Sequence, residues 1–186
     1  RGPELLRIDA EVSDVSRRSV AASGSAVVHP AAFYLGVKAG SGFVSAPAAI
    51  RPEVAAFSVN GQRLAGKRVA FELIERRYTF AREESGDDYR GVSKPVDTVK
   101  ARCETTTTLQ TASCALTVPA AGYYLVLARA QDERGRQAEA ATWVYASGSG
   151  EPTWQDNDRR SVELVLDKKS YNVGERARAL VNSPYK

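Results

Sequence analysis

The segment 114–145, CALTVPAAGYYLVLARAQDERGRQAEAATWVY, limits the folds open to this chain more than any other part of the sequence. One apolar run ends at Pro119, a second begins after Gly122, and a third follows the polar turn at 132–136. Aromatic and β-branched residues between such breaks are typical of strands joined in hairpins. Both alternating faces of residues 123–130 are apolar, which predicts a strand in the middle of a sheet and covered on both sides.

The same hairpin predicts which side chains face the core. Because successive side chains point to opposite faces of a strand, Tyr124, Val126 and Ala128 share one face. We expect that face to meet an opposing sheet, with Trp143 packed nearby. The segment therefore predicts the core of a β-sandwich.

Shorter strand patterns occur along the rest of the chain. Apolar and polar residues alternate over 6–12, which predicts a half-buried strand, and they alternate again over 69–73. Residues 54–59 form a predicted strand that ends at a hairpin signal, Asn-Gly. The polar segment 76–94 is interpreted as a long loop. About seven strands, with turn signals roughly every 8–12 residues, predict an all-β fold of the antiparallel sandwich type.

Two segments of small residues divide the predicted strands into three parts. Residues 38–47 are rich in Gly, Ser and Ala, and residues 147–150 are Ser-Gly-Ser-Gly. Such compositions are typical of connections between units. We predict the closing strands of one sandwich in 1–46, a complete seven-stranded sandwich in 47–147, and a linker with the opening strands of a third sandwich in 148–186.

A short internal repeat supports this division. VSDVSRR at 12–18 and AQDERGR at 130–136 each place Asp four residues before Arg, with an offset of 118 residues between the two copies. Self-similarity at a fixed period is a mark of repeated structural units. The sequence therefore predicts tandem copies of one domain.

The two end pieces are too short to be stable alone. About three strands in 1–46 and about two in 151–186 cannot bury a sheet face, and they leave unpaired strand edges. We expect strands over 6–12 and 162–181 to contact partners, and we expect 47–147 to stay folded when both end pieces are removed.

The charge of the chain excludes one class of partner. The net charge is +4, from 26 basic and 22 acidic residues that are interspersed along the sequence. A nucleic-acid-binding surface would instead concentrate basic residues in a stripe with aromatic side chains. No apolar run is long enough for a membrane span. We therefore expect no nucleic-acid partner and no membrane contact from this chain.

The two cysteines, Cys103 and Cys114, flank a predicted turn at 105–111. They lack the spacing of a zinc site or a redox motif. Two interpretations stay open, a disulfide across the hairpin and a pair of free structural thiols. A bridge over so short a loop would contribute roughly 3 kcal/mol in the chain-entropy model and would indicate an oxidising compartment.

The sequence offers little that could perform catalysis or bind a metal. His29 is the single histidine and lies before a proline, where a structural or surface role is expected. An acidic group occurs within the polar segment 76–94, but the ligand spacing of a calcium loop is absent, which favours a solvated loop. This group consists of Glu83, Glu84, Asp87 and Asp88. We expect no catalytic residues, no metal site and no cofactor, and hence no enzyme.

Three phrases of this sequence resemble the bacterial alpha-2-macroglobulins. VELVLDKKSYNVGERARALVNSPYK at 162–186 is similar to the opening of the macroglobulin-type domain that precedes the bait region in this family. DAEVSDVSRRSVAASGSAVVHPAAFYLGV at 9–37 is similar to the closing strands of an earlier domain of that type. The segment 114–145 resembles the closing half of the domain between them.

The resemblance implies a scaffold role in a large protein that traps proteases in the periplasm. The expected partners are proteases, reached through the intact parent protein, and neighbouring macroglobulin domains. Any anchor to the inner membrane would come from a segment outside this chain. Many members carry a thioester in which Gln lies three residues after Cys, but here Thr106 and Thr117 occupy those positions. No functional residue of the family is therefore transferred to this chain.

Two other classes of function remain as alternatives. A repeat of a bacterial surface adhesin would have a similar composition, although it would be expected to carry ligand loops or calcium sites. A carbohydrate-binding accessory module would need exposed aromatic side chains, for which Trp154 is the candidate.

Overall fold

The computed structural model describes residues 2–85, 88–148, 163–168 and 170–182, and all regular secondary structure in these ranges is β-strand. The strands are β1 (Glu4–Ser13), β2 (Ser19–Val28), β3 (Phe33–Lys38), β4 (Phe43–Ser45), β5 (Ala48–Ile50), β6 (Glu53–Ser58), β7 (Arg63–Leu64), β8 (Arg68–Ser85), β9 (Asp88–Thr106), β10 (Ala112–Ser113), β11 (Leu116–Val118), β12 (Gly122–Gln131), β13 (Gln137–Ser147), β14 (Glu163–Leu166) and β15 (Ala179–Asn182). Within the described part of the chain, no helix is long and apolar enough to cross a membrane.

Two sheets form the layers of a central sandwich. One sheet has five strands in the order β4-β13-β12-β8-β9, and the other has the order β10-β6-β3 with β7 paired to β6. A further short pair, β5 with β11, adds to the sandwich. The pairings are antiparallel, apart from a short parallel pairing between β4 and β13. The predicted all-β antiparallel sandwich is confirmed.

The strand β12 lies in the middle of the five-stranded sheet, between β13 and β8, as predicted. Its side chains Tyr124, Val126 and Ala128 are fully buried against the opposing sheet, which confirms the predicted inward face. The prediction for Trp143 is wrong. Its indole ring stacks on the Tyr123 ring on the outer face, with the ring centroids 4.3 Å apart, because strand alternation turns the neighbouring Val144 inward instead.

The pairing of β3 corrects the predicted boundary between residues 46 and 47. β3 pairs with β6 from Phe33↔Ser58 to Lys38↔Glu53, and Phe33 is 1% exposed. Residues 33–46 therefore belong to the central sandwich. The small residues at 38–47 form a compact connection between strands of one unit, a role that composition alone does not distinguish from that of a linker.

The polar segment 76–94 is strand rather than the predicted loop. β8 and β9 stay paired from Arg68↔Thr106 to Ser85↔Asp88, whereas β12 accompanies β8 only as far as Arg76. Beyond that point, within the described ranges, the two strands form a ribbon with no third strand paired to it. Such a ribbon needs no apolar face, so its polar sequence gave no strand signal. Glu83 and Glu84 lie in β8, and Asp88 begins β9.

The two end pieces form separate hairpins. β1 pairs with β2 over the full length of both strands, and β14 pairs with β15. The predicted strand over 6–12 is present, but the expected half-burial is wrong, since Ile8 is 60% exposed and Val12 is 74% exposed. Among the described residues, no second layer covers β1 and β2.

Candidate functional site

The predicted disulfide between Cys103 and Cys114 is present, with Cα atoms 6.1 Å apart. It does not cross a hairpin, however. Cys103 lies in β9 of the five-stranded sheet, whereas Cys114 follows β10, which pairs with β6 in the other sheet. The bridge therefore links the two layers of the sandwich. Because both cysteines of the sequence are bonded to each other, neither offers a thiol for nucleophilic chemistry or a thioester.

Thr107 joins the end of β9 to the turn before β8 through hydrogen bonds. Its side chain is buried, and its hydroxyl donates to the Leu64 carbonyl and accepts from the Lys67 amide, at 3.0 Å in both cases. Its backbone amide donates to the Lys67 carbonyl at 2.9 Å, and its carbonyl accepts from Gly66 at 2.8 Å. A buried polar group that has its partners costs little, so this residue holds the end of β9 against the turn that precedes β8.

His29 forms a structural contact. Its Nδ1 atom lies 2.7 Å from the Tyr34 hydroxyl oxygen, at the connection between β2 and β3. In the ranges that the structure describes, no group of three His, Cys, Asp or Glu side chains could hold a metal ion. Asp87 and Trp154, named above as candidates for calcium and carbohydrate binding, lie outside the described residues.

Glu75 is a buried acid that the sequence analysis missed. Its side chain is 5% exposed and lies 2.9 Å from an Arg77 nitrogen and 3.0 Å from the Lys100 ammonium. Burial raises the pKa of Glu75, but hydrogen bonds and charge from Arg77 and Lys100 outweigh this and lower the pKa below its ordinary value. The alternation of apolar residues over 69–73 continues to position 75, so the same pattern could have indicated that this acid points inward.

A β-bulge in β9 brings one partner of Glu75, the Lys100 ammonium, to its carboxylate. The register between β8 and β9 shifts between Leu73 and Ile74, which leaves Lys100 as the extra residue between Val99 and Ala101. A bulge commonly redirects one side chain at a strand position. Here the Lys100 ammonium reaches the carboxylate, so the arrangement satisfies a buried charge and provides no free acid or base.

The outer face of the five-stranded sheet carries a row of ion pairs. Glu72 accepts from both Arg102 and Arg129 at 2.8 Å, and Arg129 also contacts Glu139 at 2.8 Å. Such exposed pairs contribute about 0–1 kcal/mol each. These four side chains make a patch of mixed charge on that face, which agrees with the expectation from the sequence that basic residues are dispersed among acids.

The repeated Asp-to-Arg phrase forms the same loop twice. Asp14 Oδ1 accepts from the backbone amides of Ser16 and Arg18 at 2.8 and 2.9 Å. Asp132 Oδ1 accepts from those of Arg134 and Arg136 at 2.9 Å each. The two loops, which are 118 residues apart in the sequence, thus have the same hydrogen-bond pattern.

Asp132 has a further partner that ties its loop to the start of the sandwich. Its Oδ2 atom accepts from the Ala32 backbone amide at 3.0 Å and from Arg136 Nε at 2.8 Å. Burial of the carboxyl opposes ionisation, but these donors and the loop amides outweigh it and lower the pKa of Asp132 to about 2. The last hairpin of the sandwich therefore holds the segment that leads into β3.

The Asp-Lys and Tyr-x-x-Gly-Glu phrase lies in the hydrogen-bonded connection between β14 and β15. The Tyr171 hydroxyl donates to Asp167 Oδ1 at 2.5 Å, and the Arg178 amide donates to the same oxygen at 3.0 Å. Glu175 Oε2 accepts from the Asn172 amide at 3.2 Å. Gly174 has a φ of 90°, a conformation that glycine adopts without strain. The spacing of the phrase is thus explained by one hydrogen-bonded turn.

These observations define a class of protein, an antiparallel β-sandwich with exposed strand hairpins at both ends. No known protein-family profile matches the sequence. The curated Alpha-2-macroglobulin homolog of Nostoc sp. is 31% identical over 188 residues, which cover 98% of this chain and 10% of that protein.

Solved structures of bacterial alpha-2-macroglobulins share the fold. The native conformation of E. coli alpha-2-macroglobulin matches with a TM-score of 0.56 and 17% identity, over 98% of this chain and 12% of that one. Salmonella alpha-2-macroglobulin reacted with methylamine matches with a TM-score of 0.51 and 16% identity, over the same shares of 98% and 12%. The resemblance seen in the sequence is confirmed: this chain is homologous to a segment of the alpha-2-macroglobulins, and it spans about a tenth of the curated relative's length.

Proposed function

We propose that this chain is a non-catalytic scaffold segment of a bacterial alpha-2-macroglobulin-like protein that inhibits proteases by trapping them. The observation that carries the proposal is the 31% identity to an alpha-2-macroglobulin homologue along 98% of the chain. In such a trap the segment would hold neighbouring domains in place around the enclosed protease. Its partners would be those neighbouring domains and, through the intact protein, the proteases themselves.

The scaffold role agrees with the chemistry of the described residues. The two cysteines are joined to each other, and the single histidine is hydrogen-bonded to Tyr34. The buried acid Glu75 is paired with two cations. Nucleophilic catalysis needs an activated nucleophile beside a base, and none of these groups supplies that arrangement. The proposal therefore includes the absence of enzymatic activity.

Three structural units are proposed for this segment. β1 and β2 would close a preceding sandwich, as β12 and β13 close the central one, because the two hairpins share a loop and a register at an offset of 118 residues. Residues 30–148 form the central unit. β14 and β15 would open a following sandwich. This proposal keeps the predicted tandem arrangement and moves the first boundary from residue 46 to about residue 30.

The proposed location is the periplasm. The disulfide between Cys103 and Cys114 supports it, because such bonds persist in oxidising compartments and are rare in the cytosol. Any anchor to the inner membrane would be supplied by a segment outside this chain.

The trap proposal is tested with the whole parent protein and an active protease. A trapped protease keeps its catalytic groups but is screened from large substrates. We therefore expect cleavage of a large protein substrate to fall in a dose-dependent way, while cleavage of a small peptide substrate continues. Equal cleavage of the large substrate with and without the parent protein would contradict the proposal.

The 186-residue chain serves as the matched control in the same assay. We expect it to protect no substrate and to hydrolyse no generic ester, peptide or phosphate. Hydrolysis that persists in a His29→Ala variant would contradict the non-catalytic part of the proposal. Binding in a glycan array would instead favour the carbohydrate-binding alternative.

A further inference from the structure

Aromatic side chains form a row across the outer face of the five-stranded sheet. The Tyr123 ring lies 4.8 Å from the Tyr145 ring and stacks on Trp143 at 4.3 Å between centroids. Tyr145 on β13 is in register with Phe43 on β4, and paired residues on neighbouring strands point to the same face. We call Tyr123, Trp143, Tyr145 and Phe43 the aromatic row. All four side chains are half-buried.

The C-terminal hairpin touches the end of this row. The guanidinium carbon of Arg178 lies 5.7 Å from the centroid of the Phe43 ring, within the range of a cation–π contact. The Gly42 amide donates to the Asp167 carbonyl at 3.4 Å. The Gly42 carbonyl accepts from the Tyr145 amide at 3.0 Å, so the residue that contacts the hairpin is also fixed to the sheet.

Gly42 allows this approach because it has no side chain. A Cβ atom at this position would lie 2.6 Å from the Leu166 carbonyl oxygen, which belongs to the backbone of β14. Real Cβ atoms essentially never lie so close to a backbone oxygen, so any side chain would force the hairpin away. The contact therefore depends on glycine through close approach of two backbones.

We infer that the aromatic row, with Gly42 at its end, is the docking surface for the structural unit that begins with β14 and β15. The contact at Gly42 and Phe43 is continuous with the rest of the row, because Gly42 shares a backbone hydrogen bond with Tyr145 and contacts Asp167 of the hairpin. This continuity identifies the unit that contains the hairpin as the occupant. The surface holds that unit at one orientation relative to the central sandwich. This inference rests on the proposed division of the segment into structural units, but it does not depend on protease trapping.

The chemistry of the row suits a contact between units of one polypeptide. Aromatic side chains bring a large apolar area in a rigid form, and they are enriched where protein surfaces meet. Arg76 lies over the Trp143 ring at 5.1 Å from its centroid and is held by Asp97. The row thus ends in a cation–π contact on each side, with Arg76 at one end and Arg178 at the other.

A distance measurement between two spin labels tests the inference in the full chain. Asn60→Cys and Val173→Cys place labels on two exposed turns, one on the central sandwich and one at the tip of the C-terminal hairpin. The native cysteines are bonded to each other and stay unlabelled. We expect one narrow distance distribution for the doubly labelled chain that carries no further substitution. Gly42→Ala, Phe43→Leu and Tyr145→Ala should each replace it with a broad or shifted distribution.

Two matched variants show whether the effect belongs to this surface. Gly24→Ala adds a Cβ where no atom lies within 4 Å, and Phe57→Leu removes an aromatic ring that contacts Arg63 at 4.9 Å on the other sheet. Both should keep the narrow distribution, and thermal unfolding should show that every variant is folded. An unchanged distribution in folded Gly42→Ala or Tyr145→Ala would overturn the inference, as would equal broadening in the two matched variants.

Discussion

The hairpins β1-β2 and β12-β13 share a strand register and a loop hydrogen-bond pattern, but their surroundings differ. Their registers run from Glu4↔Val28 and from Gly122↔Ala146, an offset of 118 residues on both strands. Position by position, Ile8 corresponds to Val126, yet Ile8 is 60% exposed and Val126 is fully buried. The comparison shows that local sequence is enough to shape a hairpin and its loop. Burial of its apolar face depends on strands from elsewhere.

Truncation is the most direct test of whether the central sandwich needs each part of the N-terminal segment. Removal of residues 1–29 deletes the uncovered hairpin, and we expect the remaining chain to fold. Removal of residues 1–46 also deletes β3 and β4, including the buried Phe33, and we expect the remaining chain to be unfolded. Far-UV circular dichroism and denaturant melts of both truncations give the answer. A folded, cooperative chain from residue 47 onwards would restore the boundary predicted from the sequence.

A pair of equivalent alanine substitutions should show a smaller effect. Val126→Ala should lower the free energy of unfolding by about 2 kcal/mol, because it removes two methyl groups from a packed core. Ile8→Ala should change it by less than about 0.5 kcal/mol, as exposed substitutions usually do. Denaturant unfolding of both variants measures the difference. Equal losses would mean that β1 and β2 are covered within this chain after all.

The Asp132 loop should make the stability of the fold depend on pH in the acid range. The pKa of Asp132 is lowered to about 2 in the folded chain, against about 3.9 in an unfolded one. A lowered pKa of this kind stabilises the fold above about pH 4, and that contribution is lost as the pH falls through 2. Asp132→Asn should therefore remove part of the loss of stability between about pH 4 and 2. The Asp14→Asn variant should retain this loss, because Asp132 is still present. Chemical denaturation at several pH values compares them, and identical profiles for the two variants would contradict the prediction.

The smallest effect is expected at the fourth position of each loop. Gly135 has a φ of 74°, and the equivalent Arg17 has a φ of 62°. Gly135→Ala should cost about 1 kcal/mol, because the left-handed conformation is unfavourable for residues with a Cβ. Arg17→Ala should have no measurable effect on global unfolding, since a Cβ is already present there. A neutral result for Gly135→Ala would show that the loop adjusts its backbone.

Sequence reasoning worked best where the signal was local. The strands on either side of the 132–136 turn were predicted from alternation and from breaks at Pro119 and Gly122, and the inward face of β12 followed from the same alternation. The loop repeat was visible because Asp and Arg recur at the same spacing. The pairing of Cys103 with Cys114 was also predicted, although Cys103 lies in one sheet and Cys114 follows a strand of the other.

The sequence misled where one composition fits two structures. Small residues at 38–47 suit both a linker and a compact connection, and only the pairing of β3 with β6 showed which is present. Polar residues at 76–94 suit both a loop and an uncovered ribbon. Glu75 was overlooked because an acid inside a core is normally unfavourable, and the bulge that brings Lys100 to it has no signal in a single sequence.

The sequence by itself determined the β12-β13 hairpin, the turn between its strands and the side chains that share each strand face. These features depend on neighbouring residues, through backbone conformation and the period of two along a strand. The tertiary structure alone decided which faces are buried, which layers the disulfide joins and where the C-terminal hairpin rests. The physical reason is that hydrophobic burial needs a second surface, and in a sandwich that surface comes from strands far away in the chain.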